Sequence, residues 1–518
     1  MGTLRSEVKI DASRNVATST ASAVSRPRDP ADPFRILVLG DLSGRAGRGA
    51  NDATGIATRT CHAIDRDNFD DVVAAVSPRI CVSLGGDGGV AAEITCRSID
   101  DFHPDELFQK VDVFAQLRSV RRRLADPDTS AAAIRELLAA KGTPTISSSP
   151  SAGSAQPQPP PPADLLEGML QATEAVQART PRGESLVDRL VRELVAPHVT
   201  PGPHPQREQL VAEVDRAIAS QMRAVLAAPA FRDVETAWLG VQKLTRELET
   251  DSRLSIHLLD VSLEELETSL PSAGDPLTSQ WARRLVDQTT GVPGGVPFTV
   301  VIGAWTFGDR STELELLGRL ARICARAGSV FLAAASPAVF GCPGFAAGPD
   351  PDDWNRPPDP ELASAWARLR GDEAASAVGL VAPRYLARLP YGARSSPTSA
   401  FPFEEETNAA AHEELTWANG AFLVALALAQ EWRDSGWSMR PGAVDEVAGL
   451  PVHVRRVDGE SVAVPVAEVE LTSRGGERIA THGVIPLYSV RGADSARIGT
   501  LRSIAGDGRP LAGRWRAP

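Results

Sequence analysis

The chain has 518 residues, 42% of them hydrophobic, enough to bury a sizeable core in two or more folding units. A formal net charge of −12 sets the whole-chain field against nucleic acid and anionic lipid. The five scattered cysteines contain no Cys-x-x-Cys pair, which argues against a disulfide framework and fits reduced thiols in a cytoplasm.

In chain order, Met1 to Ile10 carries charges without an apolar core, so no secretory signal is expected. Residues 1–32 read as a flexible arm, rich in Ser, Ala and Thr after position 11. A first unit is expected over 33–141. Phe34 to Leu39 is an apolar run ended by Gly40-Asp41, the mark of a buried strand. Asn68 to Val76 predicts a short helix stopped by Pro78. Arg79–Leu84 and Ala92–Arg97 alternate like two strands joined by a glycine turn at 85–89. Pro104-Asp105-Glu106 starts a helix whose stripe is Val113, Leu117, Val120 and Leu124, with Asp126-Pro127 as the stop.

Residues 142–163 form a linker, with seven prolines and a Ser147-Ser148-Ser149 tract that cannot bury enough apolar surface to order itself. The second unit is expected over 164–505, with a tail at 506–518. Two amphipathic helices flank Pro229, and a strand follows at Leu254–Val261. Phe298–Ile302, a helix over Glu313–Arg326 and Val330–Ala334 make a β-α-β unit, hence parallel strands. Glu413–Trp432 predicts a buried helix, and Pro451–Ile504 alternates like short strands. The longest apolar run, Gly420 to Ala429, is about half of the ~20 residues a membrane span needs, so no direct membrane insertion is expected. The fold class is mixed α/β.

Motifs for chemistry are sparse, and neither a catalytic site nor a cofactor or metal is expected. The glycines of 40–49, with Arg45 and Arg48, suggest a phosphate loop, but no Gly-Lys-Ser/Thr follows. Gly86-x-Gly88-x-x-Ala91 precedes a strand-like segment and not a helix. His412-Glu413-Glu414-Leu415-Thr416 lacks the second imidazole of a zinc-protease helix. Arg118, Arg121, Arg122 and Arg123 form a basic cluster, read either as a solvated face or as a subunit contact to acidic neighbours.

Several strings resemble the two sheath-protein families of type VI secretion, the small VipA and the large VipB. In the first unit these are Pro33 to Asp41, with Gly40 and Asp41 at its end, Ile64 to Asp70, and Asp100 to Asp105, with Phe102 and Pro104 within it. Leu124-Ala125-Asp126-Pro127 completes them. The second unit is similar to the large family through Pro229, Phe231, Glu235, Trp238 and Gly240, then Gly294 to Gly303, then Ala333 to Pro337. The longest string runs from Gly379 to Gly392 and contains Pro383, Arg384, Leu389, Pro390 and Tyr391. Phe403-Glu404-Glu405, His412-Glu413, Trp417, Asn419 and Gly483 to Leu487 continue it. Ala304 departs from the family, which usually has an acid there. The large subunits also continue past the Ile-Pro-Leu strand, so a shortened C-terminus is expected, with strands knitting neighbouring subunits missing or supplied by another chain.

The resemblance implies a contractile tail-sheath fold of two intertwined domains, in a small-subunit/large-subunit fusion located in the bacterial cytoplasm. It implies self-assembly into rings or a helical sheath, an inner tube protein, a baseplate, and a Clp-class AAA+ ATPase that recycles contracted sheath. A separate full-length large subunit is a further possible partner. Glu7 to Ile10 reads either as a strand donated to a neighbour or as a plain terminus. The helix over Asp164–Thr173 resembles the large subunit's ATPase site through Leu165, Leu166, Met169 and Leu170; the alternative is a helix packed on its own domain. Three functions compete: a polymerising sheath protomer, a cap, initiator or adaptor that joins a sheath without elongating it, and a soluble α/β enzyme.

Overall fold

The computed structural model describes residues 29–515 apart from 85–89, 142–205, 271–272, 290–294, 346–347, 358, 408–411 and 458. The expected arm with Glu7–Ile10, the linker, the helix carrying Leu165, Leu166, Met169 and Leu170, and the Gly86 turn lie outside the described residues.

The strands in chain order are β1 (Phe34–Gly40), β2 (Cys61–Ile64), β3 (Arg79–Leu84), β4 (Val90–Thr95), β5 (Leu254–Asp260), β6 (Val300–Phe307) and β7 (Val330–Ala335). Next come β8 (Val378–Ala382), β9 (Tyr385–Leu386), β10 (Trp417–Ala418), β11 (Glu446–Val447), β12 (Val454–Val457), β13 (Glu460–Ala463), β14 (Ile485–Ser489) and β15 (Ala496–Ile498). Nine of these form one sheet in the order β11-β15-β14-β8-β7-β6-β1-β5-β2. Its six central strands, β14 to β5, are parallel, and the strands at either end run antiparallel.

The apolar run of the N-terminal segment therefore becomes an interior strand. Six of the seven residues of β1 are buried, as a parallel strand covered on both faces requires. Both neighbours of β1 come from beyond the linker. Phe34 to Gly40 pairs with Leu254 to Asp260 on one side, and Ile36 to Leu39 pairs with Val300 to Gly303 on the other. Alternation sends Ile36 and Val38 into one core and Leu37 and Leu39 into the other.

The α-helices of seven residues or more are α1 (Phe69–Val76), α2 (Pro104–Lys110), α3 (Ala115–Ala125), α4 (Pro127–Lys141), α5 (Gln206–Ala227), α6 (Pro229–Glu247), α7 (Leu263–Ser269), α8 (Ser311–Ala327), α9 (Pro360–Arg370), α10 (Ala421–Ser435) and α11 (Ser473–Thr481). Helices α6 and α10 cover the Ile36/Val38 face, and α8 and α9 cover the other. Pro229 separates α5 from α6 as expected, sitting at the first turn of α6, where no backbone donor is needed. Gly240 lets α6 and α10 close up: a Cβ there would meet the Phe422 ring at 2.5 Å. At Gly40 a Cβ would meet Ala304 Cβ at 3.0 Å, so the departure at 304 faces the end of β1.

Three expectations are corrected. The helix begun at Pro104 breaks at Val111, whose backbone is extended and whose carbonyl accepts from the Arg118 guanidinium. The buried helix predicted over Glu413–Trp432 starts only at Ala421. Trp417-Ala418 pairs instead with Tyr385-Leu386, and the Asn419 side chain accepts from the Ala421 amide. The stretch Pro451–Ile504 contains a helix, α11, where alternation suggested strands alone. Its first turn is capped by Thr472, and Gly475 and Gly476 hide its periodicity.

Because β1 holds hydrogen bonds on both edges to the C-terminal segment, the two segments should remain together without the linker. Cleavage at a protease site inserted within 150–160 is expected to leave a two-fragment complex that co-elutes on size exclusion. Two fragments that separate and stay folded would contradict the topology.

Candidate functional site: the joint between the segments

The loop after β1 folds onto its own carboxylates. Asp41 accepts from the amides of Arg45 (2.6 Å) and Ala46 (2.9 Å). Asp260, at the end of β5, accepts from the Ser43 amide (2.9 Å) and hydroxyl (2.8 Å) and from Arg45 Nε (2.6 Å). Burial pulls the Arg45 guanidinium down, but Asp260 holds it above its ordinary value. Arg48 donates to the carbonyls of Gly44 and Ser43. The cations and amides that a phosphate would need are thus engaged internally. Trp238 of α6 closes the loop by donating from Nε1 to the Leu42 carbonyl at 2.9 Å, with its ring edge-on to Phe69.

Other polar ties join the segments. Arg59 forks onto Glu265 (2.8 and 2.9 Å), which also caps Ser262 and accepts from the Asp52 amide. Burial pushes the Glu265 carboxyl up, but the Arg59 fork and the two amides hold it below its ordinary value. Asp105, in the first turn of α2, accepts from the amides of Ala400 (2.9 Å) and Ser399 (2.8 Å) and from the Ser399 hydroxyl (2.8 Å). Burial opposes ionisation there too, and these hydrogen bonds outweigh it. Phe102 meets Phe231 edge-on, Phe34 clusters with Trp432 and Trp437, and Asp32 pairs with Arg514 in a buried contact. Pro104 is buried at the start of α2.

The longest family-like string supplies the deepest charge. After β8 the Ala382-Pro383 bond is cis, and Arg384 forks onto Glu468 (2.9 and 2.6 Å). Arg388 then turns inward. It donates to Glu235 of α6 (2.7 Å), to both oxygens of Glu405 (2.7 and 3.0 Å) and to the Leu389 carbonyl, with Tyr391 stacked at 4.2 Å. Glu235 is 1% exposed, and burial pushes its carboxyl up against the pull of Arg388. Burial also pulls Arg388 down, but Glu235 and Glu405 keep it well above its ordinary value and charged. Tyr391 receives the His103 ring edge-on at 4.8 Å, which ties the N-terminal segment to this cluster. The Pro390 carbonyl accepts from Ser395, and the Gly392 amide donates to the Ser396 carbonyl.

The structure brings Gly40, Asp41, Phe102, Pro104, Phe231, Glu235, Trp238, Leu389, Pro390 and Tyr391 to this joint. Asp260 and Glu265 take roles there that no quoted string contains, whereas Arg388, Glu405 and Asp105 lie within such strings, which give no hint of their partners. Three members of the arginine cluster work internally: Arg121 pairs with Asp215 of α5 at 2.5 Å, Arg118 holds the carbonyls of Phe108 and Val111, and Arg123 pairs with Glu136 of α4. His412 stacks on Trp417 and contacts the Glu468 carbonyl. Among the described residues no group of three or more His, Cys, Asp or Glu could hold a metal, and no helix is long and apolar enough to cross a membrane.

A strand of one segment is zipped into the sheet of the other, with charge buried at the joint, so the two segments form one mixed α/β body. Two family profiles match in tandem: the VipA family of type VI secretion over 30–139, and the VipB family's tail sheath N-terminal domain over 208–505. The chain belongs to the VipB tail-sheath family and carries a VipA domain before it. It is 32% identical over 296 residues to the type VI secretion system sheath protein TssC1 of Pseudomonas aeruginosa, covering 56% of this chain and 59% of that protein. It is 36% identical over 98 residues to sheath protein TssB1 of the same organism, covering 18% of this chain and 55% of that protein. The chain thus spans a little over half the length of each relative.

Arg388→Met would leave two buried carboxylates uncompensated and should cost about 3–5 kcal/mol in chemical denaturation. Arg388→Lys, which keeps the charge but not the fork, should cost less. Equal and negligible losses would contradict the role given to Arg388. Acid should also loosen the joint. Asp105 and Glu265 are depressed below 3.8 and 4.5, so their contribution is complete above those values and is lost as pH falls through the depressed ones. The linker-cleaved complex should therefore stay intact in sedimentation down to about pH 5 and dissociate only below about pH 4; dissociation between pH 6 and 7 would refute this.

Proposed function

We propose that the chain is a structural protomer of a type VI secretion contractile sheath, in which one polypeptide combines the small and large sheath roles. The observation that carries this reading is β1: a strand from the VipA-like segment completes the sheet of the VipB-like segment, so the two family matches describe a single body. On this reading the protomers stack around an inner tube on a baseplate in the cytoplasm, and shortening drives the tube outward. The chain has no enzymatic task of its own. A sheath subunit must transmit force without deforming internally. The doubly paired β1 and the enclosed Arg388 cluster suit that demand, since packed cores transmit strain and do not absorb it.

Electron microscopy of the purified full chain tests the reading, expected to show rings or hollow tubes. A monodisperse globular particle at every concentration would sink it.

The ATPase reading rests on Leu165, Leu166, Met169 and Leu170 as the apolar side of a helix-in-groove ligand. Such a helix must be accessible in contracted sheath and hidden in extended sheath, or the motor would dismantle loaded particles. Leu166→Asp with Leu170→Asp should abolish binding to the N-terminal domain of the Clp-class ATPase while leaving the thermal melt unchanged. Normal binding would place recognition elsewhere, and an unfolded variant would assign the helix to the core.

A further inference from the structure

Among the described residues four large apolar side chains are exposed, and three of them gather at one place. Val454 on β12 is 54% exposed, Val462 on β13 is 44% exposed, and Val452, just before β12, is 39% exposed. The two strands pair only with each other, in an antiparallel ladder that sets Val454 opposite Ala463 and Arg456 opposite Ser461. Residues directly opposite share a face, so Val452, Val454, Ala463, Arg456 and Ser461 line one side of the ribbon, and Val462, opposite Arg455, lies on the other. The five on the first side are all exposed.

The projection is anchored at its base. His453 is buried and contacts Glu406 at 2.7 Å, Arg455 pairs with the same carboxylate at 3.0 Å, and the Val464 amide donates to the His453 carbonyl. Glu406 follows Glu405 of the Arg388 cluster, so the base of the ribbon adjoins that cluster. Behind it lies a cavity of about 360 Å³, bordered by Leu389, Pro390, Val454, three arginines (Arg394, Arg455 and Arg456) and two carboxylates (Glu404 and Glu406), of which Glu406 is taken by His453 and Arg455. Arg394 and Arg456 are exposed, with no carboxylate within ion-pair distance among the described residues.

A two-stranded ribbon with open edges and bare valines is a liability on an isolated protein. Here the lip is also cationic, on a chain whose net charge is −12. The surface that such a lip complements best is the acidic surface of another molecule of the same kind.

We propose that the β12–β13 ribbon and the cavity behind it dock an acidic face of a second copy of this chain. The proposal rests on the sheath-protomer reading and adds a specific contact to it. Because a basic, apolar lip meets a different, acidic patch, the contact is heterologous. It propagates into a ring or helix and does not close as a dimer.

The test uses the full chain and two variants, Arg394→Glu with Arg456→Glu and Val452→Ser with Val454→Ser, followed by sedimentation velocity and electron microscopy. Both should melt within about 2 °C of the parent, since their sites are exposed. Each should raise the concentration needed for assembly at least ~10-fold, equivalent to about 1.4 kcal/mol. Parent assembly should weaken between about 0.05 and 0.5 M salt, whereas the residual assembly of the arginine variant should change little. Folded variants that assemble like the parent would overturn the docking surface and leave the sheath reading standing. A parent that never assembles would overturn both.

Discussion

An interior parallel strand must satisfy hydrogen bonds along both edges, and β1 does so only with strands from across the linker. Much of the architecture follows from this pairing. It fixes the register of the N-terminal segment to within one residue, because a slip would exchange Ile36 and Val38 with Leu37 and Leu39 between two closed cores. It also carries the Gly40-Asp41 loop to the end of β5, where Asp260 receives it, and brings Leu42 beneath Trp238.

Around that strand the polar contacts serve as locators. Arg388 between Glu235 and Glu405 ties α6 to the segment after β8 and to the 404–406 strip, and His103 joins the N-terminal segment to the same place through Tyr391. A buried charge group of this kind adds little net stability over an apolar replacement, but it penalises misdocked arrangements heavily, since any of them strands a charge. On the sheath-protomer proposal, in which a subunit changes neighbours as a rigid unit, such a locator suits the joint. Cys96 and Cys324, both pushed up to about 12 by burial, are ordinary packing groups in the same interior.

The elements legible in the sequence were those whose signal is local. Phe34–Leu39 is a continuous apolar run because it is covered on both faces, and Pro104 and Pro229 announce helix starts by chemistry that needs no tertiary context. The helix at 473–481 was hidden because Gly475 and Gly476 sit on its packed side, where a Gly476 Cβ would collide with the Tyr488 hydroxyl. The start of α10 was misplaced because Trp417 and Ala418 are apolar enough to continue the helix, yet are taken by β9. At the joint, family-like strings marked Tyr391, Glu235 and Asp41, but not what they touch. The partners of Arg388, Asp105 and Glu265 lie far away in sequence, and only the fold brings them together.

The claim on which the account turns is that β1 belongs to the C-terminal sheet as fully as that sheet's own strands. Native-state hydrogen exchange on the intact chain measures it directly. The account predicts that the amides of Ile36 to Leu39 exchange only through the global unfolding that also releases Ile256 to Leu259 and Val300 to Ile302, with one shared free energy and one shared denaturant dependence. Exchange of the β1 amides through a separate, lower-energy opening, while β5 and β6 stay protected, would contradict it.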